Sequence, residues 1–284
     1  MGGSRSGALG RAMRALAIDL VDALTDRRCP GCGGNVSRAE SVCGVCDAAI
    51  DRTGTVLCLG CLRGDSPDAR RAPPVPGGCP RHGSETLLLA GPPHAPPLDA
   101  VIRHFKYAGA SALGAWLASM IPVPPGIAGT FGREAVIVPV PLHPARRAAR
   151  GFDQAALLAL HVGAWWGVPV VHALRRVRET DPQARQGAAL RRRNLQGAFA
   201  LAERERAVVT GRTVLLLDDV ATTGSTLLEA HGALAAADPA WILALAGAHG
   251  GGSAGPQFTS HADVAGVPGV MLESQAWQIG TKPS

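Results

Sequence analysis

Two adjacent carboxylates, Asp218 and Asp219, stand before a run of small hydroxyl residues and one glycine at residues 221–226. Hydroxyl and backbone N–H donors in such a loop suit a phosphate group, and Gly224 lets the backbone approach that anion closely. Carboxylates would repel a phosphate, but they are good acceptors for the vicinal hydroxyl groups of a ribose. The pattern therefore predicts a site for a phosphorylated ribose.

The elements on either side of this pattern can hold such a site. The apolar run VLLL at residues 214–217 predicts a buried strand of a parallel sheet, and a helix is predicted from residue 227 to about 237. The loop contains neither the G-K-[ST] of a Walker loop nor a G-x-G-x-x-G dinucleotide fingerprint. An acidic helix cap after a core strand is the alternative. It explains one carboxylate, but not the pair together with T-T-G-S-T.

A second group of candidate residues is a series of possible metal-ligand pairs. Three C-x-x-C pairs and one C-x-x-H pair follow one another: Cys29 and Cys32, Cys43 and Cys46, Cys58 and Cys61, and Cys79 and His82. Each pair can chelate tetrahedral zinc from one tight turn, and the segment has too few large apolar residues to fold without a staple. Disulfides and a redox C-x-x-C are the alternatives, disfavoured because no export signal is present and the motif repeats.

The pairing of these ligands is open from the sequence. Seven cysteines fall one short of two all-cysteine sites, so a second zinc site needs His82. The ligand pairs could combine sequentially or interleave, and we favour the sequential arrangement. One or two zinc ions per chain are expected.

Basic side chains form a third candidate group. Arg146, Arg147 and Arg150 are predicted in the loop after the strand at residues 135–140, at the carboxyl edge of the sheet where α/β proteins bind ligands. Arginine forks suit a pyrophosphate, and a solvated basic turn explains the same residues equally well. Lys106 lies on a predicted helix, where a functional role is one interpretation and a solvated basic face is the default.

Strands and helices alternate from residue 86 to 248, which argues for a parallel sheet with helices on its faces. Strands are predicted at 86–90, 135–140, 168–171, 199–201, 214–217 and 241–246, and one helix at 98–120. Pro139 indicates a strand that ends early or lies near the sheet edge. Residues 175–197 are long, polar and arginine-rich, so they are either a functional loop or disordered.

These patterns divide the chain into four predicted parts. Residues 1–28 carry an amphipathic helix at 11–24, residues 29–83 form a cysteine-rich zinc module, and residues 84–248 form the α/β domain. Residues 249–284 are rich in Gly, Ser and Pro and have few apolar side chains, so we expect a mostly disordered tail.

Charge and composition limit the partners. The 284 residues carry a formal net charge of +6, which favours anionic partners such as phosphates or nucleic acid. Aromatic residues make up only 4% of the chain, so the core must consist mainly of Ala, Leu and Val. No apolar run has the length of a membrane span, and no signal peptide is recognisable, so we expect a cytoplasmic protein with reduced thiols.

With these motifs in order, the chain resembles the ComF/GntX family of phosphoribosyltransferase-like proteins. The acidic pair and T-T-G-x-T resemble the 5-phosphoribosyl-1-pyrophosphate (PRPP) loop of type I phosphoribosyltransferases. The other matches, over residues 11–248, are the ordered C-x-x-C pairs, F-K-Y-x-G at 105–109, V-P-V-P-L with R-x-x-x-R-G-F-D-Q, R-x-T-x-x-Q at 178–183 and R-x-R-N-L-x-x-A-F at 191–199. His82 stands where the family usually has cysteine.

The resemblance implies a type I phosphoribosyltransferase-like fold and a PRPP site. It implies that Asp218 and Asp219 hold the ribose hydroxyls, with Arg146 and Arg150 as further PRPP-binding residues. The residues that would wrap the 5′-phosphate are Ala221, Thr222, Thr223, Gly224, Ser225 and Thr226.

The resemblance also implies a mobile loop at residues 175–197 that closes over PRPP while Mg²⁺ holds the departing pyrophosphate. Arginines of that loop would stabilise the charge on the leaving group. The residues that it would place in catalysis are Asp218, Asp219, Arg178, Arg191 and Arg193.

Two functions from different classes fit this sequence. The first is Mg²⁺-dependent transfer of a phosphoribosyl group from PRPP to an acceptor. The second is a non-catalytic PRPP- or nucleotide-binding accessory protein in DNA uptake, whose zinc module and arginines contact single-stranded DNA or a helicase partner. The low aromatic content offers little for base stacking, which disfavours direct single-strand binding.

Overall fold

The structure is a computed structural model, and it describes residues 27–37, 40–63, 79, 82, 86–108, 110–124, 134–178 and 196–250. The strands are β1 (Thr55–Cys58), β2 (Leu87–Ala90), β3 (Pro93–His94), β4 (Ala135–Pro139), β5 (Leu174–Arg176), β6 (Phe199–Leu201), β7 (Thr213–Ala221) and β8 (Trp241–Gly250). The α-helices are α1 (Gly44–Ala48), α2 (Leu59–Arg63), α3 (Leu98–Tyr107), α4 (Gly114–Ala118), α5 (Pro144–Arg150), α6 (Gln154–Trp166), α7 (Arg206–Val209) and α8 (Ser225–Ala235). Short 3₁₀ turns lie at Ser111–Leu113 and Glu203–Glu205.

Six of these strands form one sheet. Its strand order is β1-β2-β8-β7-β4, and β3 pairs with the end of β8. Strands β2, β8, β7 and β4 are parallel, whereas β1 runs antiparallel to β2. Strands β5 and β6 form a separate antiparallel pair. The predicted α/β fold, a parallel sheet flanked by helices and joined to an N-terminal cysteine module, is confirmed.

The sheet is buried on both faces, which explains the unbroken apolar run in β7. Leu215 and Leu217 pack in one layer with Phe105 of α3 and Leu158 of α6. The alternate residues of β7 point to the other layer, where Leu227 of α8 is part of the core. Because successive side chains of a strand point to opposite faces, one short run of leucines serves two cores.

Three predicted boundaries away from the cleft need correction. The helix expected at 98–120 ends at Tyr107, just before Gly109, and the chain continues as a 3₁₀ turn and α4, because glycine disfavours a helix interior. Residues 168–171 form only a bridge between Val170 and Ile137, since a proline at 169 has no N–H to donate. Strand β8 continues to Gly250, beyond the predicted 241–246.

The predicted role of Pro139 is confirmed on both counts, because β4 ends at this residue and is the last strand in the order of the sheet. The cysteine-rich segment reaches into the same sheet, since Cys58 of β1 pairs with Leu87 of β2. The division into residues 1–28, 29–83, 84–248 and 249–284 stays a prediction.

Several predicted features lie outside the described residues. They are the helix at 11–24, the part of the arginine-rich loop at 179–195 and the tail from 251. Among the helices that the structure describes, none has the length and apolarity to cross a membrane.

Candidate functional site

A cleft of about 260 Å³ lies at the carboxyl edge of the parallel strands. Side chains from α3, α5, β5, β7 and the N-terminus of α8 line it. The basic groups that line it are His94, Lys106, Arg146, Arg150 and Arg176. Its acidic groups are Asp153, Asp218 and Asp219. Such a surplus of cations around an acidic pair suits a ligand that carries both phosphates and hydroxyl groups.

The acidic pair lies within β7 and not after it, because this strand continues to Ala221. Lys106 Nζ lies 2.8 Å from Asp219 Oδ2, and the Asp219 N–H donates to Asp218 Oδ1 over 2.8 Å. Burial and the negative charge of Asp219 raise the pKa of Asp218 to about 7. Burial opposes the charge of Lys106, but the Asp219 carboxylate outweighs this effect and raises the pKa of Lys106.

The run of hydroxyl residues and glycine at residues 221–226 is here called the hydroxyl loop. It connects β7 to α8 and forms the turn that the sequence predicted. Gly224 has φ 65°, a left-handed conformation that favours glycine, and the helix begins at the next residue, two residues before the predicted start. Thr222 and Thr226 line the cleft, whereas Ser225 is buried and its Oγ accepts a hydrogen bond from Thr223 Oγ1 at 3.1 Å. The N-terminus of an eleven-residue helix therefore opens toward this cleft.

The arginines expected in a loop lie in helix α5. His143 caps this helix by accepting from Ala145 N at 3.4 Å, and proline at its first position suits a helix start. Arg146 and Arg150 are half-buried and line the cleft, while Arg147 between them is exposed. The arginine cluster is thus divided by helix periodicity into two cleft residues and one surface residue.

Two aromatic contacts hold α3 against the turn before α6. The rings of Phe105 and Phe152 meet edge to face at 5.2 Å, which brings the F-K-Y and R-G-F-D-Q motifs together. Arg150 stacks 5.0 Å from the Tyr107 ring and donates to Gln154 Oε1 at 3.0 Å. These contacts hold the Arg150 guanidinium in place at the cleft.

Asp153 has a structural part in the same turn. Its carboxylate accepts from Leu142 N at 2.8 Å and from Ala156 N at 3.2 Å. It therefore caps α6 and fixes the chain segment that leads to α5.

The first cysteine cluster brings together Cys29, Cys32, Cys43 and Cys46, whose sulfur atoms lie within 4.8 Å of one another. The Cys32 and Cys43 sulfur atoms are 3.7 Å apart, and the Cys43 N–H donates to Cys29 Sγ at 3.4 Å. Burial opposes the charge of Cys29, but backbone donors from Cys43 and Cys32 outweigh this effect and lower its pKa to about 6. Such N–H donors stabilise the thiolate form that metals bind.

The second cluster brings together Cys58, Cys61, Cys79 and His82, also within 4.8 Å. The Cys61 and Cys79 sulfur atoms are 3.6 Å apart, and His82 Nδ1 lies 3.4, 3.7 and 3.5 Å from the sulfurs of Cys58, Cys61 and Cys79. Burial, followed by the charge of the Cys58 thiolate, raises the pKa of Cys61 to about 12. A cation at this cluster would offset both effects.

These distances fit zinc. A tetrahedral ion with Zn–S of about 2.3 Å and Zn–N of about 2.0–2.1 Å places its ligand atoms roughly 3.5–3.8 Å apart. None of the described cysteines forms a disulfide, and their sulfur separations are far above the S–S bond length of about 2.05 Å. Both clusters could hold zinc, in the sequential arrangement that we favoured over the interleaved one.

Comparison with known proteins places this chain among relatives with DNA-related names. It is 32% identical over 213 residues to the DNA utilization protein YhgH of Escherichia coli K12. The aligned residues cover 71% of this chain and 89% of that protein. The chain belongs to the ComF/GntX family of phosphoribosyltransferase-like proteins. Competence protein F of Haemophilus influenzae is 43% identical over 94 residues, or 33% of this chain and 41% of that protein.

Two further comparisons add little to this assignment. No family model matches the chain. A solved structure titled as the allosteric regulatory enzyme of purine biosynthesis is 19% identical, with a TM-score of 0.30, over 50% of this chain and 26% of that chain. At such a score the likeness supports no inference.

Among the residues that the family resemblance singles out, the cleft gathers Asp218, Asp219, Arg146, Arg150 and the loop threonines Thr222 and Thr226. Arg178 is exposed and donates to the backbone oxygen of Gln196 at 2.9 Å. Arg191 and Arg193 lie outside the described residues. The PRPP-binding and catalytic roles of all these residues stay predictions.

Three cleft residues were not among the predicted site residues. Lys106 was interpreted as part of a solvated face, but it is half-buried against Asp219, and its place in F-K-Y-x-G was the available signal. Arg176 lies on β5, inside the segment predicted to be a polar loop, and it stacks 5.3 Å from the Phe199 ring. Burial, followed by the charge of Arg146, lowers the pKa of Arg176. His94 follows two prolines, and no sequence pattern singled it out.

Proposed function

We propose that this chain binds PRPP in the cleft and, with Mg²⁺, transfers its phosphoribosyl group to an acceptor. The observation that carries the proposal is the meeting of an acidic pair, a hydroxyl loop at a helix N-terminus and several cations in one cleft. A phosphate, two ribose hydroxyls and a pyrophosphate need these three kinds of partner. The rest of the PRPP molecule has no group that needs a fourth kind of partner.

Different described residues would bind different parts of PRPP. Backbone N–H groups of the loop and the hydroxyls of Thr222 and Thr226 would bind the 5′-phosphate. Asp218 and Asp219 would accept hydrogen bonds from the ribose hydroxyls, while Arg146 and Arg150 would bind the pyrophosphate. The carboxylate oxygens also suit Mg²⁺, which prefers oxygen ligands and substrate phosphates and would neutralise charge on the leaving group.

In the transfer, the bond from the anomeric carbon to a pyrophosphate oxygen breaks, and a bond from that carbon to the acceptor forms. The pyrophosphate leaves with the electron pair of the broken bond, and the acceptor atom gives up its proton to water or to the departing pyrophosphate. Cations near the pyrophosphate therefore stabilise the transition state. Arg146, Arg150 and Arg176 are the described residues suited to this part, since guanidinium groups keep their charge when partly buried.

The test is a titration with PRPP and Mg²⁺, followed by a pyrophosphate-release assay with a set of bases. Asp218→Asn and Asp219→Asn each remove one charged acceptor, which contributes about 1.5–3 kcal/mol, so each change should weaken PRPP binding roughly ten- to a hundredfold. Arg150→Ala should also weaken it. Arg147→Ala is the matched control, because Arg147 is the exposed arginine of the same helix. Equal binding by wild type and both aspartate variants would contradict the proposal.

A second candidate rests on the names of the relatives, DNA utilization protein and Competence protein F. In this case the cleft binds PRPP or a nucleotide without catalysis, and the chain acts in DNA uptake through single-stranded DNA or a helicase partner. PRPP binding without pyrophosphate release for any base, combined with binding of a labelled oligonucleotide or a helicase, would favour this candidate. Release of pyrophosphate with one base would favour the enzyme.

A further inference from the structure

Leu59 connects the second cysteine cluster to the hydroxyl loop. It follows Cys58 directly, is fully buried and packs against Gly224. A Cβ atom built on Gly224 would lie 3.1 Å from Leu59 Cδ2 and 3.2 Å from the Leu59 carbonyl oxygen. The loop backbone at Gly224 therefore lies against Leu59 with no space for a side chain between them.

The position of Leu59 depends on the cluster as well as on the sheet. Its N–H donates to the Thr86 carbonyl oxygen at 2.8 Å, which continues the pairing of β1 with β2. Its other neighbours are Gly60 and Cys61, and a Cβ built on Gly60 would lie only 2.7 Å from the His82 ring. The chain from Cys58 to Cys61 is thus held by two cluster ligands at its ends and by a third against its middle.

The first cluster packs in a different place. Trp116 Nε1 donates to Asp47 Oδ1 at 2.7 Å, and Arg52 donates to Ser119 Oγ at 3.2 Å. Cys29 and Cys46 belong to the core layer that contains α3 and α6, whereas Leu59 and Leu227 of α8 belong to the opposite layer. The first cluster can therefore serve as the control when the effect of a metal at the second cluster is measured.

We propose that Leu59 is a positioning residue for the hydroxyl loop, so that the second cluster, and not the first, sets the affinity of the cleft for a phosphorylated ligand. The inference rests on the proposed role of this loop as the phosphate site. When the four ligands hold zinc, the Cys58–Cys61 turn is fixed and Leu59 supports the loop in its binding conformation. Without the metal, this turn loses its anchor and the loop must be ordered by the ligand, which lowers affinity.

The experiment compares His82→Ala with Cys32→Ala in the full chain, each of which removes one ligand from one cluster. Three quantities are measured: zinc per chain, amide hydrogen exchange of the peptide over residues 222–226, and the Kd for PRPP with Mg²⁺. Both variants should lose one of two zinc ions. His82→Ala should speed loop exchange and weaken PRPP binding by about tenfold, whereas Cys32→Ala should leave both within about twofold.

Loss of zinc from His82→Ala with unchanged loop exchange would overturn the proposal, as would equal effects of the two variants. If wild type does not bind PRPP, the proposed function fails, and the exchange comparison still decides whether the cluster positions the loop. Leu59→Val covers the case in which His82→Ala does not fold, because it keeps every metal ligand and shortens the side chain against Gly224. It should retain both zinc ions and show faster loop exchange, and unchanged exchange would overturn the proposal.

Discussion

Lys106 Nζ and Asp219 Oδ2 form an ion pair of 2.8 Å inside the cleft, with side-chain exposures of 22% and 15%. The lysine comes from α3 and the aspartate from β7, so the pair joins a helix on one face of the sheet to an internal strand. A partly buried ammonium group partly neutralises the two adjacent carboxylates and keeps N–H donors that can bind an anionic ligand. We therefore expect Lys106 to contribute to ligand binding and to the protonation of the acidic pair.

The first prediction concerns the loss of this lysine. Lys106→Met keeps the length of the side chain and removes its charge, and it should weaken PRPP binding by about tenfold or more. Because Lys106 lowers the pKa of Asp218, its removal should raise that pKa beyond its present value of about 7. Calorimetric titrations between pH 6 and 9 measure both effects.

The matched control for this variant is Arg103→Met. Arg103 lies on the same helix, is exposed, and pairs with Asp99 at 3.6 Å one turn away. Its loss should leave the affinity within about twofold. Similar losses in the two variants would mean that net charge, and not the contact of Lys106 with the acidic pair, governs binding.

The second prediction concerns stability and pH. The pKa of Asp218 is raised from its ordinary value of 3.8 to about 7 in the folded state, so folding favours its protonated form. The stabilisation from this group is complete below about pH 4 and is lost as the pH rises through 7. Asp218→Asn removes that loss, so its free energy of unfolding relative to wild type should rise between pH 4 and 8. Urea unfolding at pH 5 and pH 8 checks this, and a constant difference would show that Asp218 titrates normally.

The third prediction separates backbone strain from the contact with Leu59. Gly224 and Gly211 have nearly the same positive φ, 65° and 67°, but a Cβ on Gly224 would meet Leu59, whereas a Cβ on Gly211 would meet nothing within 4 Å. Gly211→Ala should cost about 1 kcal/mol from strain alone, and Gly224→Ala should cost clearly more. Urea unfolding measures both, and equal costs would mean that the loop moves away from Leu59 easily.

The sequence was sufficient for the parts that depend on local patterns. The apolar run of β7, the glycine at 224 and the four ligand pairs each specify geometry within a few residues, and the structure places them as expected. Pro139 even indicated the edge of the sheet. Such features follow from strand burial, left-handed turns and metal-ligand spacing, which need no knowledge of distant contacts.

The parts that sequence reasoning missed depend on packing between distant segments. Lys106 lies in the cleft because α3 packs beside β7, where Phe105 contacts Phe152, and Arg176 lies there because β5 pairs with β6. Leu59 was an unremarked apolar residue between two cysteines until the fold brought it to Gly224. Residue type alone does not separate Arg146 from Arg147; helix α5, at a place where a loop was predicted, turns one toward the cleft and the other toward the surface.

The last prediction tests the second cluster through a glycine. Gly60 lies between Cys58 and Cys61, and a Cβ atom at this position would lie 2.7 Å from the His82 ring. Gly60→Ala should therefore displace His82 and leave its cluster without its fourth ligand, so that the purified protein holds one zinc ion in place of two.

Gly44→Ala is the matched control, because Gly44 lies between Cys43 and Cys46 and a Cβ there meets nothing within 4 Å. Alanine in place of Gly44 should keep both ions and should favour α1 by roughly 0.5–1 kcal/mol. Elemental analysis of both variants under reducing conditions measures the zinc content. Two zinc ions in Gly60→Ala would show that His82 is not needed as a ligand, and none in the wild type would exclude zinc from both clusters.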